Sequence, residues 1–456
     1  MKTIDKIIHE TLTNLVPNYS KLTKEKSKIL LVFVNKALFG YHLNDGGLIL
    51  HSKYDLQNRL GNRYKSLIDD YFERIGSYRF GKNGNYCYRY ILKDFLEEAI
   101  WNNYYAQLEQ SKKNEQRRSS NAFLVHSAAD VSNVKAIRDK VPAKIQINCQ
   151  AINCYESILK GLVTANDLTP QQVATLLPPG FNTSKFTRDS VLKYLNILER
   201  LRKFASLSAE GNSIFQKYSI ATTGRLVGVE FHLQRIPSTV RLMALSGMEL
   251  YDYDVDNAHY TILYYLFNKN TTPRDDAIAY YLNNKTYIRN QLAQTIGVEI
   301  SKIKQFLASI IYGSRLNWYY KNATYLLFNK EQHKTIMNDV FVKELISLVA
   351  IYRQHIINSH VNNDTILNKA NRTFLIKKGQ SSSSKLAFIL QGYERCLLDY
   401  LINAVPEQSQ VVLLHDGIIC KRFNKTLLEQ KIESEIGIQI SIKESVVPTL
   451  LNGKGS

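Results

Sequence analysis

Acidic residues are in short supply. The chain of 456 residues has 40 Asp+Glu against 59 Lys+Arg, a formal net charge of +19. That deficit of acid argues for a polyanionic partner, either nucleic acid or an acidic membrane face. Long apolar runs are lacking too: no window approaches roughly 18 uncharged apolar residues, which excludes a transmembrane helix. The opening MKTIDKIIHETLTNL is broken by Asp5, His9 and Glu10, so it does not read as a signal peptide. Cysteine is sparse and odd in number, with Cys87, Cys149, Cys154, Cys396 and Cys420 and no CxxC. No Cys or His pair lies near Cys149 and Cys154 to complete a zinc site. Reduced thiols and a cytoplasmic, membrane-free chain are expected, which leaves nucleic acid as the polyanion. No repeat of about 20–50 residues is apparent.

What is present is ordinary globular material, 45% hydrophobic and 22% charged, and long enough for two to four domains at roughly 100–200 residues each. Tyr (29) outnumbers Phe (18), which suits base stacking and phosphate contact, and equally suits an AT-rich coding sequence. Residues 1–110 read as helices followed by a hairpin. Tyr78 to Tyr90 alternates aromatic and polar residues around a Gly81-Lys82-Asn83-Gly84 turn. A winged-helix-like module would present Arg79, Lys82 and Arg89 to phosphates; a hairpin packed on its own helices is the competing reading. The polar stretch SKKNEQRRSSN at 111–121 marks a boundary, and Pro170, Pro178, Pro179 and Gly180 mark a second irregular stretch. Residues 190–207 have helical apolar spacing, Val411–Leu414 reads as a strand, and QSSSS at 380–384 as a short polar loop.

Two acidic segments carry chemistry. The first runs Glu249-Leu250-Tyr251-Asp252-Tyr253-Asp254-Val255-Asp256-Asn257-Ala258-His259, and the second Val411-Val412-Leu413-Leu414-His415-Asp416-Gly417. An aspartate leaving a buried strand into a turn can bind a metal at a sheet edge, although such residues often only cap turns. In strand geometry Asp252, Asp254 and Asp256 share a face, so periodicity cannot choose among them. Around these segments stand Thr223-Gly224-Arg225-Leu226, Leu233-Gln234-Arg235-Ile236-Pro237, Lys304 eight residues before Tyr312-Gly313, and Gln391-Gly392.

In this order, and with Arg225 and Gln234 nine residues apart, the chain from about 190 to 456 resembles the polymerase region of the family A DNA polymerases. The resemblance implies an α+β right-hand polymerase with an antiparallel palm sheet and helical fingers and thumb. It assigns an accessory module to 1–115, a thumb to 116–215, a palm to 216–265 and 376–456, and fingers to 266–375. It implies metal ligation by Asp254, Asp416 and the backbone carbonyl of Val255, with two Mg²⁺ ions, Mn²⁺ being an alternative. Asp254 is preferred because His259 then stands five residues on, at the family's sugar-discriminating position. Lys304 would neutralise the incoming triphosphate and Tyr312 would sit by the incoming sugar. Arg225, Gln234 and Gln391 would contact the minor-groove edge of primer-template DNA, whose acceptors differ little between base pairs. His415 would lie near the primer terminus.

Several positions depart from the family pattern. Ile300 stands where an Arg is expected, with Lys302 or Arg289 as candidate substitutes. Ala308, Gly417, Ala221, Ser383 and Ala387 replace an aromatic, Glu, Thr, Arg and Asn respectively. No 3′–5′ exonuclease pattern precedes residue 190. Short, exonuclease-less polymerases of this kind resemble those of phages and mobile elements, such as the replication modules of staphylococcal cassette chromosomes. The expected partners are primer-template DNA, dNTPs and a small accessory protein docking on the N-terminal module, which could support priming. A single-subunit RNA polymerase or primase on the same palm, and a non-catalytic DNA-binding replication protein, are the alternatives.

Overall fold

The computed structural model describes residues 3–16, 18–39, 49–52, 60, 64–80, 85–93, 95–103, 122–124, 130, 134–135, 137–164, 188–206, 208, 210–229, 231–269, 274–319 and 322–449. The fold is α+β. In chain order the N-terminal part has α1 (Thr3–Leu15), α2 (Lys24–Phe39), β1 (Ile49–Ser52), α3 (Tyr64–Asp69), β2 (Phe72–Phe80) and β3 (Asn85–Leu92). A helical stretch follows at 95–103. The expected hairpin is present as β2 and β3, and β1 adds to it, so the antiparallel sheet has the order β1-β3-β2. The 81–84 turn and the side chains that alternate along the hairpin lie outside the described residues. Ile8 and Leu12 fall four apart on α1 and turn inward with Leu30, Phe33, Tyr71 and Ile100, forming a core of their own. This unit meets the next one through Trp101, which packs edge-on to Phe204 with ring centroids 6.0 Å apart.

The middle of the chain holds β4 (Phe123–Leu124), β5 (Lys144–Gln146), α4 (Cys149–Thr164), α5 (Arg188–Ser206), β6 (Ser213–Phe215), β7 (Tyr218–Ile220), β8 (Leu226–Gly228) and α6 (Ser238–Ala244). The periodicity at 190–207 is therefore helical, as α5. The Pro-rich stretch at 170–180 and the polar linker at 111–121 lie outside the described residues.

The rest runs β9 (Tyr251–Val255), α7 (Ala258–Asn268), α8 (Ala277–Ile296), α9 (Ile300–Ile311), α10 (Ala323–Leu327), α11 (Lys330–Asn338), α12 (Val340–His360), and the short strands β10 (Val361–Asn362), β11 (Thr365–Leu367) and β12 (Thr373–Leu375). It closes with α13 (Ser382–Asn403), β13 (Val412–Leu413), β14 (Gly417–Cys420), α14 (Lys425–Ile436) and β15 (Ile442–Val446). The loop expected at 380–384 is instead the start of α13. Ser381 caps it by accepting from the Ser384 N–H at 3.2 Å, which is what serine does best at a helix start.

A four-stranded antiparallel sheet of order β13-β14-β9-β15 is the centre of the molecule. Both faces are used, and strand alternation sorts them. Tyr253 pairs with Ile418, and Val255 with Ile442; these four enter the core beneath α7, α13 and α14. Val412 and Ile419 point the other way, into the core built on α4, α5 and α6. Directly paired residues share a face. Asp252 lies opposite Ile419 and Asp254 opposite Gly417, so both aspartates sit on that second face.

The loop carrying Thr223-Gly224-Arg225 is clamped onto α13. Asn368, buried beside it, donates to the Thr223 carbonyl at 2.9 Å and the Phe388 carbonyl at 3.1 Å. The buried Arg395 donates to the Gly224 carbonyl at 2.9 Å. Gly392 makes room for this: a Cβ there would stand 2.5 Å from Cγ of Asn368. A Gly→Ala change inside a helix ordinarily stabilises by about 1 kcal/mol. At Gly392 that gain should be outweighed, because displacing Asn368 strands buried polar groups at about 1–3 kcal/mol each. We expect Gly392→Ala to lower the urea midpoint. Gly161→Ala on α4, where a Cβ meets nothing within 4 Å, should leave it unchanged or raise it.

Candidate active site

Gly417 allows the closest approach in the sheet. An added Cβ would lie 2.1 Å from the Tyr253 carbonyl oxygen. With no side chain there, β14 runs flush against β9, and the Val255 N–H donates to the Asp416 carbonyl at 3.1 Å. The turn Leu414–Gly417, closed by the Leu414 N–H to Gly417 carbonyl bond at 2.8 Å, thus places Asp416 beside Asp254. His415, exposed, stands in the same turn.

These carboxylates are electrostatically uncomfortable. Asp254 is pushed up to about 7, first by burial, then by the Asp416 charge, with Asp252 adding to it and Lys443 and Lys304 pulling it down. Burial also raises Asp252, against the pull of Arg241, and Asp416 raises it further. The Oδ1 of Asp252 is buried and has no hydrogen-bond partner among the described residues. Asp256 differs. It is paired with Lys285, and with Lys443 at 2.6 Å, so two cations already occupy it. These lysines set Asp256 apart from Asp252 and Asp254, a distinction that strand periodicity could not reveal.

The oxygens of Asp252, Asp254 and Asp416 are hard donors, and an orphaned, desolvated acid beside a like charge is a fitting place for a divalent cation. Among the described residues no group of three His, Cys, Asp or Glu side chains converges on one point. An ion held here would take one or two carboxylates and draw its other ligands from water, backbone or phosphate, which is the usual habit of Mg²⁺.

A second cluster faces this one. His259 lies at the second residue of α7 and Tyr312 at the C-terminal end of α9. Tyr260, fully buried, donates to the Leu307 carbonyl at 2.8 Å and so locks α7 to α9. The Tyr312 hydroxyl lies 2.7 Å from His259 Nδ1, and His259 Nε2 lies 2.7 Å from Glu394 Oε2. Glu394 Oε1 accepts from Arg225 Nε at 2.9 Å. Burial, then the Glu394 charge, pushes the Tyr312 phenol well above its ordinary value. Glu394 is 1% exposed, and removing its partners would leave a buried charge at a cost of about 3–5 kcal/mol.

The structure therefore brings together Asp254, Asp416 and Lys304 in one group and Arg225, His259 and Tyr312 in another. Asp416 links them, since its charge is felt by Tyr312. Lys304 is solvent-exposed on α9. Gln391 is half-buried on α13, one residue before the Gly392 clamp. Gln234 is placed differently from a groove-reading residue: it is buried, accepts from the Gly228 N–H at 2.6 Å and donates to the Leu226 carbonyl at 3.1 Å. Its amide holds β8 in place at both ends. Of the candidate substitutes for the arginine absent at Ile300, Arg289 is tied to the Asn257 side chain at 2.8 Å and to Tyr281 at 3.0 Å. Glu394, Lys285 and Lys443 escaped the sequence analysis. The signal for Glu394 was an adjacent Glu-Arg pair inside the mostly apolar stretch 386–398 of α13.

No family model and no curated protein matches the chain. Among solved structures it is similar to the POL domain of Pol1 from M. smegmatis, in complex with DNA primer-template and dNTP. The TM-score is 0.44 and the identity 14%, over 77% of this chain and 73% of that one. No helix among the described residues is long and apolar enough to cross a membrane.

The raised Asp254 has a thermodynamic signature. A carboxyl whose folded pKa lies above its unfolded value binds its proton more tightly when folded, so its contribution to stability falls as pH rises from about 4 to about 7. The buried His232, lowered to about 3 mainly by burial, opposes this over part of the same range, so the wild-type curve alone is ambiguous. The difference between Asp254→Asn and wild type isolates the effect. Without divalent ions, the variant should gain stability over wild type from pH 4 to 7 and keep a constant margin above. Urea midpoints across that range measure it, and a margin independent of pH would contradict it.

Proposed function

We propose that the chain is a DNA-templated DNA polymerase of the family A type, a nucleotidyltransferase extending a primer 3′-hydroxyl. The observation that carries this reading is the pairing of β9 with β14, which sets the buried carboxyl of Asp254 beside Asp416, near the His259–Tyr312 pair. The oxygen of the primer 3′-hydroxyl would bond to the α-phosphorus of a dNTP, the bond to pyrophosphate would break, and the hydroxyl proton would leave to solvent. Asp254 and Asp416, with the Val255 carbonyl, would hold two Mg²⁺ or Mn²⁺ ions, which would supply Lewis-acid activation of the nucleophile and charge stabilisation of the phosphates. Lys304 would counter charge on the triphosphate. Tyr312 and His259 would meet the incoming sugar. Arg225, Gln391 and His415 would line the path of primer-template DNA, with Gln234 supporting the Leu226–Gly228 strand beneath them.

In this reading 216–265 and 376–456 form the palm, 266–375 the fingers, 116–215 the thumb, and 1–115 a winged-helix-like accessory module. The last has the helices and three-stranded sheet such a module needs, and it is where a small partner protein would dock to aid priming. Replication of a mobile element or phage is the setting we propose for this chain of net charge +19.

Primer extension tests the proposal. With Mg²⁺ and dNTPs the wild type should extend, and Asp254→Ala or Asp416→Ala should reduce incorporation to a few per cent or less while primer-template binding persists. Substantial activity in Asp254→Ala would move the metal role to Asp252. Activity with rNTPs alone would favour the RNA polymerase or primase reading, and no activity with either the non-catalytic one. Binding should weaken steeply between low and moderate salt, because several phosphates lose their counterions on contact.

A further inference from the structure

Building on the polymerase reading, we propose that Glu394 is the positioning residue of the sugar gate, fixing the ring and proton of His259 and, through it, the hydroxyl of Tyr312. A histidine in the first turn of a helix has more than one χ1 and χ2 rotamer open to it, and a gate is selective only if its ring is held. Here three elements hold it. The Glu394 carboxylate, on α13, can only accept, so at the 2.7 Å contact Nε2 carries the proton. When the ring is neutral, its Nδ1 lone pair faces the Tyr312 hydroxyl, also at 2.7 Å, and that hydroxyl donates to His259. Arg225, from the loop between β7 and β8, occupies the other carboxylate oxygen at 2.9 Å.

The placement of Glu394 is unusual enough to need a reason. It is 1% exposed in a helix whose neighbours Leu390, Leu397 and Leu398 are buried apolar residues. The groups facing it are Arg225, His259 and Tyr312, with the charge of Asp416 reaching Tyr312 and that of Glu394 reaching His415. Arg225 alone would satisfy one oxygen. The second oxygen is directed at His259, 135 residues away in sequence. The cluster therefore has a carboxylate, but it enters from α13 and acts on the sugar through an imidazole.

The experiment measures the kcat/KM ratio of dNTP over rNTP in primer extension, with kcat and KM resolved, for Glu394→Gln, Glu394→Ala, His259→Ala and the double variant Glu394→Ala/His259→Ala. Gln can still accept from Nε2–H through its amide oxygen, so the ratio should fall in the order wild type, Glu394→Gln, Glu394→Ala. The last should lose about tenfold or more and match His259→Ala. The double variant should be no worse than His259→Ala, because Glu394 acts through that ring. Urea midpoints and primer-template affinity separate this from unfolding and from a weakened Arg225. If Glu394→Ala does not fold, Tyr312→Phe and Glu394→Gln carry the test, and both should lower the ratio. Ratios within twofold of wild type in variants that still extend primers would overturn the proposal alone, as would additive losses in the double variant. Failure of the wild type to extend with either nucleotide would overturn the polymerase reading with it.

Discussion

The missing side chain at position 417 is the constraint on which the cleft depends. β14 approaches β9 so closely that any Cβ at 417 would collide with the Tyr253 carbonyl. Because the strands lie flush, the Asp416 backbone bonds to Val255, and two carboxylates from segments far apart in sequence share one end of the sheet. Their proximity is unfavourable for the folded chain by itself, and it persists because both sheet faces are buried in large cores that fix the strands independently. No residue with a side chain would fit this pairing at 417.

Helix α13 is the second organising element. Along one stretch it receives Asn368 against Gly392, the Gly224 carbonyl against Arg395, and Arg225 and His259 against Glu394. The Thr223-Gly224-Arg225 loop and the Gln391-Gly392 pair are distant in sequence but are parts of one clamp. Gly224 needs its identity twice over: its φ is +89°, and a Cβ would stand 2.5 Å from that of Ala370. The spacing of these motifs is thus set by how the loop must lie across the helix.

Much of this was legible from local pattern. The helix at 190–207, the strand ending before His415 and the hairpin read across 78–90 each rest on periodicity or turn chemistry that a short window contains. What could not be read depends on contacts across hundreds of residues. Strand alternation made Asp252, Asp254 and Asp256 equivalent; Lys285 from α8 and Lys443 from β15 set Asp256 apart, while Asp252 and Asp254 stay on one face. The family resemblance put Gln234 among groove-facing residues, while in the structure its amide is buried against Leu226 and Gly228 of β8. The strand at 49–52 has too few residues for alternation to be distinctive and becomes a strand through pairing with β3. Serines at 381–384 looked like a loop because serine favours turns, and the same preference makes it a helix cap.

The lysines around Asp256 also bear on position 300, where this chain has Ile in place of a cation. Ile300 is half exposed and offers no charge, yet positive potential is concentrated beside the aspartates. The Lys285 ammonium is lowered to about 8, first by burial and then by Lys443 and Arg289, against the opposing pull of Asp254. An amine is pushed down by cations only where positive charges are crowded together. Asp256 relieves that crowding by bridging Lys285 and Lys443, leaving the three charges with a net +1. The face of the sheet therefore carries an ordered pattern. Asp252 and Asp254 stand within β9, and an aspartate neutralised by two lysines stands just beyond its end. The first arrangement attracts cations and the second retains excess positive charge, and they are separated by the two residues that strand alternation requires.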